Sequence, residues 1–362
     1  MRRIDIDTLD VPELAVYARL TEGQLRNRLH EEEGVFICES EKVIRVALER
    51  GVEPVSFLCE EKFVGRVESL FPQEGVSRYS ELPVYVGSRE VLKGLTGYEL
   101  SRGMLCCMKR ANVGNVECGM WNEECGMRSD ECGVMSDEEL GIRNCECRNC
   151  AATLKSEIRN QKSLKMRVGV LDGVVNSENT GAIFRAAAAL GIDALLLTRT
   201  CCDPLNRRAC RVSMGTVFQV PWGWIDNVEC GDQCSVFSVQ CLVHDSNTKH
   251  LTLNTKHLKN TKHLTLNTKH LKSYPEVLRE MGFKTVALAL TDRSVSIDDP
   301  VLKGEERLAI VLGTEGDGLS ESVLRECDYV ARIPMQRGVD SLNVAAAASV
   351  AFWELRIGRI GF

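Results

Sequence analysis

From about residue 164 onward, short apolar runs alternate along the chain with segments of helical periodicity. Strands that alternate with helices favour a mostly parallel β-sheet covered on both faces. This pattern assigns the second half of the chain to the α/β class. The predicted strands are 167–171, 194–197, 217–220, 285–290, 308–312 and 329–333, and the predicted helices are 179–190, 275–281, 320–326 and 341–355.

The first hundred residues mix helical and strand patterns, and we predict a small α/β domain at 1–108. An amphipathic helix is expected at 41–50, where Gly51 ends it. Short strands are expected at 55–58 and 83–86. The first half of the chain therefore forms a domain separate from the second, which we place at 164–362.

Two low-complexity segments interrupt these patterns. A cysteine-rich stretch at 109–163 repeats the heptads ECGMWNE, ECGMRSD and ECGVMSD, and the residues 247–259 recur letter for letter as 260–272. The glycine in each heptad and the lack of paired large aliphatic residues argue against a coiled coil. We interpret both segments as insertions in surface loops, the second at about 228–273.

The formal net charge is −6, which is the wrong sign for a surface coated with non-specific nucleic-acid contacts, so any nucleic acid must meet a local basic patch. No apolar run reaches about 18 residues, so we predict no membrane span. The start of the chain lacks the apolar region of a secretory signal. Seventeen cysteines, an odd number spread unevenly, fit reduced thiols and a cytoplasmic location better than a disulfide framework.

Three cysteines of the first insertion, Cys145, Cys147 and Cys150, depart from the paired spacing of a zinc knuckle. We therefore predict no metal site. The alternatives are zinc at these cysteines and non-specific metal binding by the histidines of the second insertion.

The apolar run 308–312 leads into the glycine turn 313-GTEGDGL-319. A phosphate-binding Walker loop requires a lysine after its glycines, whereas Glu315 and Asp317 would repel a phosphate. The dinucleotide fingerprint GxGxxG is also absent. From these residues alone, the remaining interpretation is a tight turn whose glycines adopt positive φ.

A second stretch, 172-DGVVNSENTGAIFRAAAALG-191, places a polar loop before a helix that Asn179 is expected to cap. Arg185 lies in the middle of this otherwise apolar helix. Such an arginine either extends its head to water or binds an anion, for example a substrate phosphate.

A third stretch, 330-VARIPMQRGVDSLNVAAAASVAFWEL-355, ends a strand at Ile-Pro-Met and opens the last helix. Asp340 or Ser341 is expected to cap that helix. Helix capping alone also accounts for the presence of Ser341 and Asn343.

Together and in this order, the three stretches resemble the three motifs of the SpoU (TrmH-like) branch of the SPOUT methyltransferases. The segment 211-RVSMGTVFQVP-221 is similar to a less strict family segment, with Arg211 in place of the usual lysine and Thr216 in place of alanine. Any one motif is weak, whereas all of them in order are highly specific. The matching residues are Asn179, Gly181, Ala182, Arg185, Ala187 and Gly191, then Gly313, Glu315, Gly318 and Leu319, then Ile333, Pro334, Met335, Ser341, Leu342, Asn343, Val344, Ala345 and Ala347.

The resemblance implies a parallel α/β sheet with a trefoil knot near the C-terminus, an exception to the rule against knotted chains. It also implies S-adenosylmethionine as the cofactor and methyl transfer to a ribose 2′-hydroxyl of RNA, an activity of class EC 2.1.1. The glycine turn would then be one wall of the cofactor pocket. By position, the cofactor-binding residues are Gly313, Ile333 and Leu342, with Met335, Asn343 and Thr291 as weaker candidates.

The resemblance implies catalytic roles for Arg185, Asn179, Glu315, Ser341 and Asn343. The family often casts the arginine as a base, but a guanidinium hardly loses its proton, so we expect it to hold a phosphate and stabilise alkoxide charge. Asn179 would orient the ribose or Arg185, and Glu315 would pair with either residue. Ser341 and Asn343 would hold their loop and reach the ribose. The family is usually dimeric, so a homodimer is implied, with the site completed by helices such as 341–355.

The first domain is similar to certain RNA-binding ribosomal proteins, although Glu39-Ser40 stands where relatives usually have Glu-Gly. This companion domain favours ribosomal RNA over transfer RNA as the substrate. The alternatives are a transfer-RNA methyltransferase and a non-catalytic RNA-binding protein; the missing GxGxxG argues against an oxidoreductase. Two basic clusters, each with a solvated helix face as the alternative, are expected to bind RNA: Arg199, Arg207, Arg208 and Arg211, and Arg26 and Arg28.

Overall fold

We describe the fold from a computed structural model of the chain, which describes residues 1–27, 33–71, 79–94, 103–110, 113, 165–225, 228–229, 271–339 and 341–358. The cysteine-rich heptads with Cys145, Cys147 and Cys150, the lysine–histidine repeat, Arg28 and Asp340 lie outside the described residues.

The N-terminal sheet has five strands in the order β1-β4-β3-β5-β2. Strands β1, β4 and β3 are parallel to one another, and β5 runs antiparallel to β3 and β2. The predicted helix and two strands are confirmed. The strands β1, β2 and β5 were missed, and the sequence RRIDI of the edge strand β1 carries three charged residues. The strands are β1 Arg2–Ile6, β2 Val35–Glu39, β3 Pro54–Glu60, β4 Pro83–Gly87 and β5 Met104–Lys109; the helices are α1 Ala15–Ala18, α2 Glu22–Arg26, α3 Glu41–Glu49, α4 Val64–Glu68 and α5 Arg89–Lys93.

The C-terminal sheet has seven strands in the order β12-β14-β11-β13-β6-β7-β8, and all of its pairs are parallel. The predicted mostly parallel sheet is therefore confirmed, whereas the trefoil knot stays a prediction. The strands are β6 Met166–Leu171, β7 Ala194–Leu197, β8 Trp222–Trp224, β11 Lys284–Leu288, β12 Val295–Ser296, β13 Arg307–Leu312 and β14 Tyr329–Arg332, with a separate antiparallel pair, β9 Val228–Glu229 and β10 Leu271–Lys272; the helices are α6 Ser177–Leu190, α7 Arg207–Ser213, α8 Tyr274–Glu280, α9 Pro300–Gly304, α10 Glu321–Glu326 and α11 Val344–Leu355.

The strand predicted at 217–220 is wrong. Residues Thr216–Phe218 form a 3₁₀ turn, and the strand β8 begins only at Trp222. Val217 lies in this turn and Val220 follows it, and both are buried. Because two close apolar residues also suit a strand, the sequence pattern alone was ambiguous.

Two helix starts also differ from the predictions. The cap of α6 is Asn176, whose side chain accepts hydrogen bonds from the backbone of Glu178 and Asn179, so Asn179 lies within the first turn. The cap of α11 is Asn343, whose side chain accepts from Ala345 and Ala346, so Ser341 lies before the helix. Both asparagines fit the preference of this position for short polar side chains.

The C-terminal end of α11 is held by Arg167, a strand residue that is only 1% exposed. Its guanidinium donates to the carbonyl oxygen of Leu355 at 2.7 Å and to the carbonyls of Met166, Glu306 and Lys303. Burial lowers the pKa of Arg167. A cation at the C-terminus of a helix satisfies carbonyls that have no partner within the helix, so Arg167 anchors the helix whose other end carries Asn343.

The two sheets are joined through α7. Phe36 of β2 packs against Phe218 with ring centroids 5.8 Å apart, and Cys38 and Cys210 are fully buried in the same hydrophobic core. Glu39, 4% exposed, receives hydrogen bonds from both Arg207 and Arg211. The N-terminal sheet therefore packs on α7 and the 3₁₀ turn that follows it, through an apolar layer with a buried ion-pair cluster.

Candidate active site

The candidate site lies where the parallel strands of the C-terminal sheet end. The nitrogen of Asp172, which follows β6, donates to the carbonyl of Leu312 at the end of β13. The nitrogen of Gly173 donates to Thr198 Oγ1, directly after β7, at 3.1 Å. Because the carboxyl ends of parallel strands meet at one edge, the loops after β6, β7 and β13 form one continuous surface.

Three predicted catalytic residues form a continuous hydrogen-bonded chain at this edge. Asn343 Nδ2 donates to Asn179 Oδ1 at 3.0 Å. Asn179 Nδ2 in turn donates to the carboxylate of Glu315. The expected contact of Glu315 is therefore made with Asn179. Three loops that are far apart in the sequence are joined by two side-chain amides.

The orientation of both amides follows from their partners. Asn343 Oδ1 accepts from the backbone nitrogens of Ala345 and Ala346 at 2.9 and 3.4 Å, so its Nδ2 must face Asn179. Asn179 must then present its oxygen to Asn343 and its nitrogen to Glu315, since a carboxylate only accepts. The N-cap interaction of α11 thus fixes the donor-to-acceptor direction of both side-chain hydrogen bonds.

Arg185 is exposed on α6. Its Cα lies six residues beyond Asn179, a rise of about 9 Å along the helix. Among the described residues, its guanidinium has no hydrogen bond or ion pair, and it does not contact Glu315. Arg185 is thus available to an external ligand, which is what an anion-binding arginine requires.

The predicted cofactor residues end three neighbouring strands. Gly313 follows β13 and Ile333 follows β14, and Thr291 lies beyond β11, which pairs with both of these strands. Thr291 Oγ1 is buried without a hydrogen-bond partner among the described residues. A buried hydroxyl without a hydrogen-bond partner is energetically costly, so this atom is suited to a ligand. Ile333 and Met335 are half-buried, and Leu342 is exposed.

The glycine turn is closed on itself. The nitrogen of Thr314 donates to the carbonyl of Gly318 at 3.2 Å, and Gly318 has φ of +69°. A Cβ at Gly313 would lie 2.5 Å from the backbone carbon of Gly318. Only a residue without a side chain allows this close approach of backbone to backbone.

The predicted RNA-binding arginines do not form one open basic face. Arg207 and Arg211 bind Glu39 at 3.1 and 3.2 Å between the two sheets. Arg208 is exposed and bound to Glu178 at 2.6 Å, and Arg199 is exposed with its guanidinium 5.4 Å from the ring centroid of Trp224. Their contact with RNA stays a prediction, for which Arg199 and Arg208 have the more accessible side chains.

Arg26 of the first domain approaches the same region from the other side. Its guanidinium lies 4.9 Å from the ring centroid of Trp224 and 3.3 Å from the carboxylate of Asp203. Asp203 also binds Arg110. The basic clusters predicted in the two domains therefore meet, although acidic residues neutralise part of their charge.

Several residues at this edge were missed in the sequence. Thr198 Oγ1 accepts from Gly173 and contacts Asp172 and Thr200. Tyr274 donates to Asp172 at 2.8 Å, and burial, together with Asp172, raises the pKa of Tyr274. A usable signal existed for Thr198 and Asp172, because each follows directly after an apolar run that was predicted as a parallel strand.

No helix among the described residues is both long and apolar enough for a membrane span.

Comparisons with known proteins identify the family of this chain. The chain matches the SpoU rRNA methylase family over residues 166–233 and 232–353, just over half of its length. It is 35% identical to an uncharacterized tRNA/rRNA methyltransferase of Mycobacterium bovis over 188 residues, which are 52% of this chain and 50% of that protein. The chain thus spans about half the length of these curated relatives.

Solved structures share the fold over nearly the whole chain. An AdoMet-bound rRNA methyltransferase from Sinorhizobium meliloti has a TM-score of 0.60 and 18% identity, and covers 98% of this chain and 97% of its own. An RNA 2′-O ribose methyltransferase has a TM-score of 0.54, also with 18% identity and 98% coverage of both chains. With its motifs on the loops of a parallel sheet and the family match over most of that sheet, the chain belongs to the SpoU rRNA methylase family.

Proposed function

We propose that this protein transfers a methyl group from S-adenosylmethionine to a ribose 2′-hydroxyl of RNA, with ribosomal RNA as the substrate. The observation that carries the proposal is the series of side-chain hydrogen bonds from Asn343 through Asn179 to Glu315, which lies at the strand ends beside the glycine turn. The AdoMet-bound state of the Sinorhizobium meliloti relative and the 2′-O ribose activity named for the second structure support it.

The residues at the three neighbouring strand ends fit the proposed cofactor. Gly313 shapes the glycine turn by its close approach to the backbone of Gly318, and Thr291 offers a buried hydroxyl without a partner among the described residues. Ile333, Met335 and Leu342 offer apolar surface of the kind that packs against an adenine ring or a methionine chain. When bound, S-adenosylmethionine supplies an electrophilic methyl group, so the protein needs only to align the acceptor and assist loss of its proton.

In this mechanism Arg185 binds the phosphate next to the target ribose and stabilises the negative charge that develops on the 2′-oxygen. Its guanidinium stays protonated throughout. Asn179 orients the ribose, and Glu315 and Asn343 hold the Asn179 amide in one orientation. Ser341 is exposed immediately before α11 and is positioned to contact the RNA.

The proposal includes a homodimer. Leu342, Val350 and Trp353 are exposed apolar residues on α11 and the loop before it, and Trp353 is 53% exposed. Val350 and Trp353, three residues apart, lie on one side of the helix, and Leu342 lies in the loop before it. An apolar stripe next to Asn343 is suited to a second copy of the chain, which would place the partner beside the site.

The test is methyl transfer from labelled S-adenosylmethionine to total ribosomal RNA and to total transfer RNA, with Arg185→Ala in parallel. We expect label in ribosomal RNA, resistant to alkali at the modified linkage and lost in the variant. Label in transfer RNA alone would change the substrate class. Cofactor binding without label in either RNA would support the non-catalytic RNA-binding alternative.

A further inference from the structure

A cleft of about 740 Å³ lies between α2 of the N-terminal domain and the loop that follows β7. It opens at the same edge of the sheet as the candidate active site. The two are linked through α7, since Asn206 caps this helix and Arg208 binds Glu178, the neighbour of Asn179. The residues that line the cleft are Glu22, Gly23, Gln24, Arg26, Asn27, Cys201, Asp203 and Asn206.

The charges that line this cleft do not favour a phosphate. Asp203 binds Arg26 and Arg110, so these groups largely neutralise one another. Glu22 adds a further negative charge on the wall. A phosphate would therefore meet a carboxylate without a surplus of positive charge, which is unfavourable.

Three polar groups of the wall retain capacity for hydrogen bonds. Glu22 Oε1 accepts from the backbone nitrogen of Arg207 at 3.2 Å, while Oε2 has no partner among the described residues. Gln24 Oε1 is used by Thr21 in the capping box, which leaves the amide nitrogen to donate. Asn206 Oδ1 accepts from the nitrogen of Arg208 at 2.9 Å, which likewise leaves an amide nitrogen. The wall thus offers one strong acceptor and two donors.

A flat cationic and aromatic surface lies beside these groups. The ring of Trp224 has the guanidinium of Arg26 at 4.9 Å and that of Arg199 at 5.4 Å from its centroid. Unpaired bases stack on aromatic rings and on guanidinium planes, and their edges are recognised by hydrogen bonds. A planar, uncharged and polar-edged ligand suits this combination better than an ion or an apolar molecule.

We propose that the cleft binds an unpaired base of the substrate RNA near the methylated ribose, and that Glu22 selects bases with an exocyclic amino group. Adenine, cytosine and guanine each carry such a donor, whereas uracil does not. The carboxylate oxygen Oε2 accepts from that amino group, and the amides of Gln24 and Asn206 donate to ring or carbonyl acceptors. This inference rests on the proposed function for the identity of the ligand as RNA.

The test measures binding of four labelled single-stranded oligoribonucleotides, each with a single base type, to the full chain by fluorescence anisotropy. We expect the uridine strand to bind about tenfold more weakly than the others, since a hydrogen bond to a charged group is lost. In Glu22→Gln this difference should disappear, because Oε1 stays on Arg207 and the new amide nitrogen cannot accept.

Glu13→Gln is the matched control, since Glu13 is an exposed glutamate in the same domain and outside the cleft. It should keep the discrimination, and equal thermal unfolding of the two variants excludes misfolding. Equal binding of all four strands, no binding by any of them, or unchanged discrimination in Glu22→Gln would overturn the proposal. Methyl transfer to ribosomal RNA is measured with the same protein preparations. If all four strands bind equally and methyl transfer occurs, only the proposed base-binding cleft is refuted. If the strands are discriminated but no methyl transfer occurs, only the proposed enzymatic function is refuted.

Discussion

Replacing Gly313 by alanine puts a methyl group where the glycine turn folds back on itself. A Cβ at this position would lie 2.5 Å from the backbone carbon of Gly318 and 2.7 Å from the nitrogen of Leu319. Both neighbours are backbone atoms, so no side chain can rotate away. The turn must therefore shift by about 1 Å to restore ordinary packing distances.

This shift has two energetic consequences. It weakens the hydrogen bond from the Thr314 nitrogen to the Gly318 carbonyl, now 3.2 Å, with a loss of ~1 kcal/mol. Accommodating an extra methyl group in a filled position costs a further ~1–3 kcal/mol. If Gly313 forms a wall of the cofactor pocket, the displaced wall should weaken binding of S-adenosylmethionine by about 10- to 100-fold.

Isothermal titration calorimetry with S-adenosylmethionine measures this effect. Gly316→Ala is the matched control in the same turn, because a Cβ at Gly316 meets no atom within 4 Å. The control should bind within about twofold of the parent protein, as surface substitutions away from special sites usually do. If Gly313→Ala binds as tightly as Gly316→Ala, the folded-back turn does not shape the pocket and the reasoning fails.

Three further changes test the supports of the site. Asn343→Asp keeps the oxygen that caps α11 but turns a second oxygen toward Asn179 Oδ1, so single-turnover methyl transfer should fall about tenfold or more while the melting temperature is retained; equal loss of both would point to a purely structural role. Arg167→Met removes the guanidinium that donates to the carbonyls of Leu355, Met166, Lys303 and Glu306, of which Glu306 keeps the nitrogen of Met166 as a donor, and should lower the free energy of unfolding in urea by ~2–4 kcal/mol; a loss below ~1 kcal/mol would contradict this. Burial tends to raise the pKa of Asp328, but hydrogen bonds from Lys284 and Thr285 outweigh it and hold the pKa below its usual value. The stability that Asp328 contributes is thus present above about pH 4 and is lost as the pH falls through the lower pKa of the folded state. Asp328→Asn should therefore make the free energy of unfolding less dependent on pH below about pH 4; an unchanged pH dependence there would argue against it.

The sequence predicted the structure best where a single local property, such as apolar character, determines it. The run RLAIVL of β13 is apolar because this strand lies between two others and is covered on both faces. Its position was therefore predicted within one residue. The segment 217–220 failed because two buried valines fit either a strand or a 3₁₀ turn, and the turn is imposed by Gly215 with φ of +89°.

The contacts of the candidate site depend on the folded chain. Asn179 and Glu315 are 136 residues apart, and Asn343 and Asn179 are 164 apart. Their motif spacing marked the residues, but only the strand order brings them together. The same limit applies to Arg207 and Arg211. Nothing in a run of arginines indicates that they form ion pairs with Glu39, about 170 residues earlier.

The packing of Phe36, Cys38 and Glu39 on α7 also bears on how the chain unfolds. A hydrophobic core that continues from one sheet to the other couples their unfolding, so the two units should melt in a single calorimetric transition. Cutting the chain between them would expose Phe218 and Cys210 to water and leave Arg207 and Arg211 without their carboxylate. The C-terminal half, which carries the family motifs, is therefore expected to aggregate when it is expressed without the N-terminal sheet.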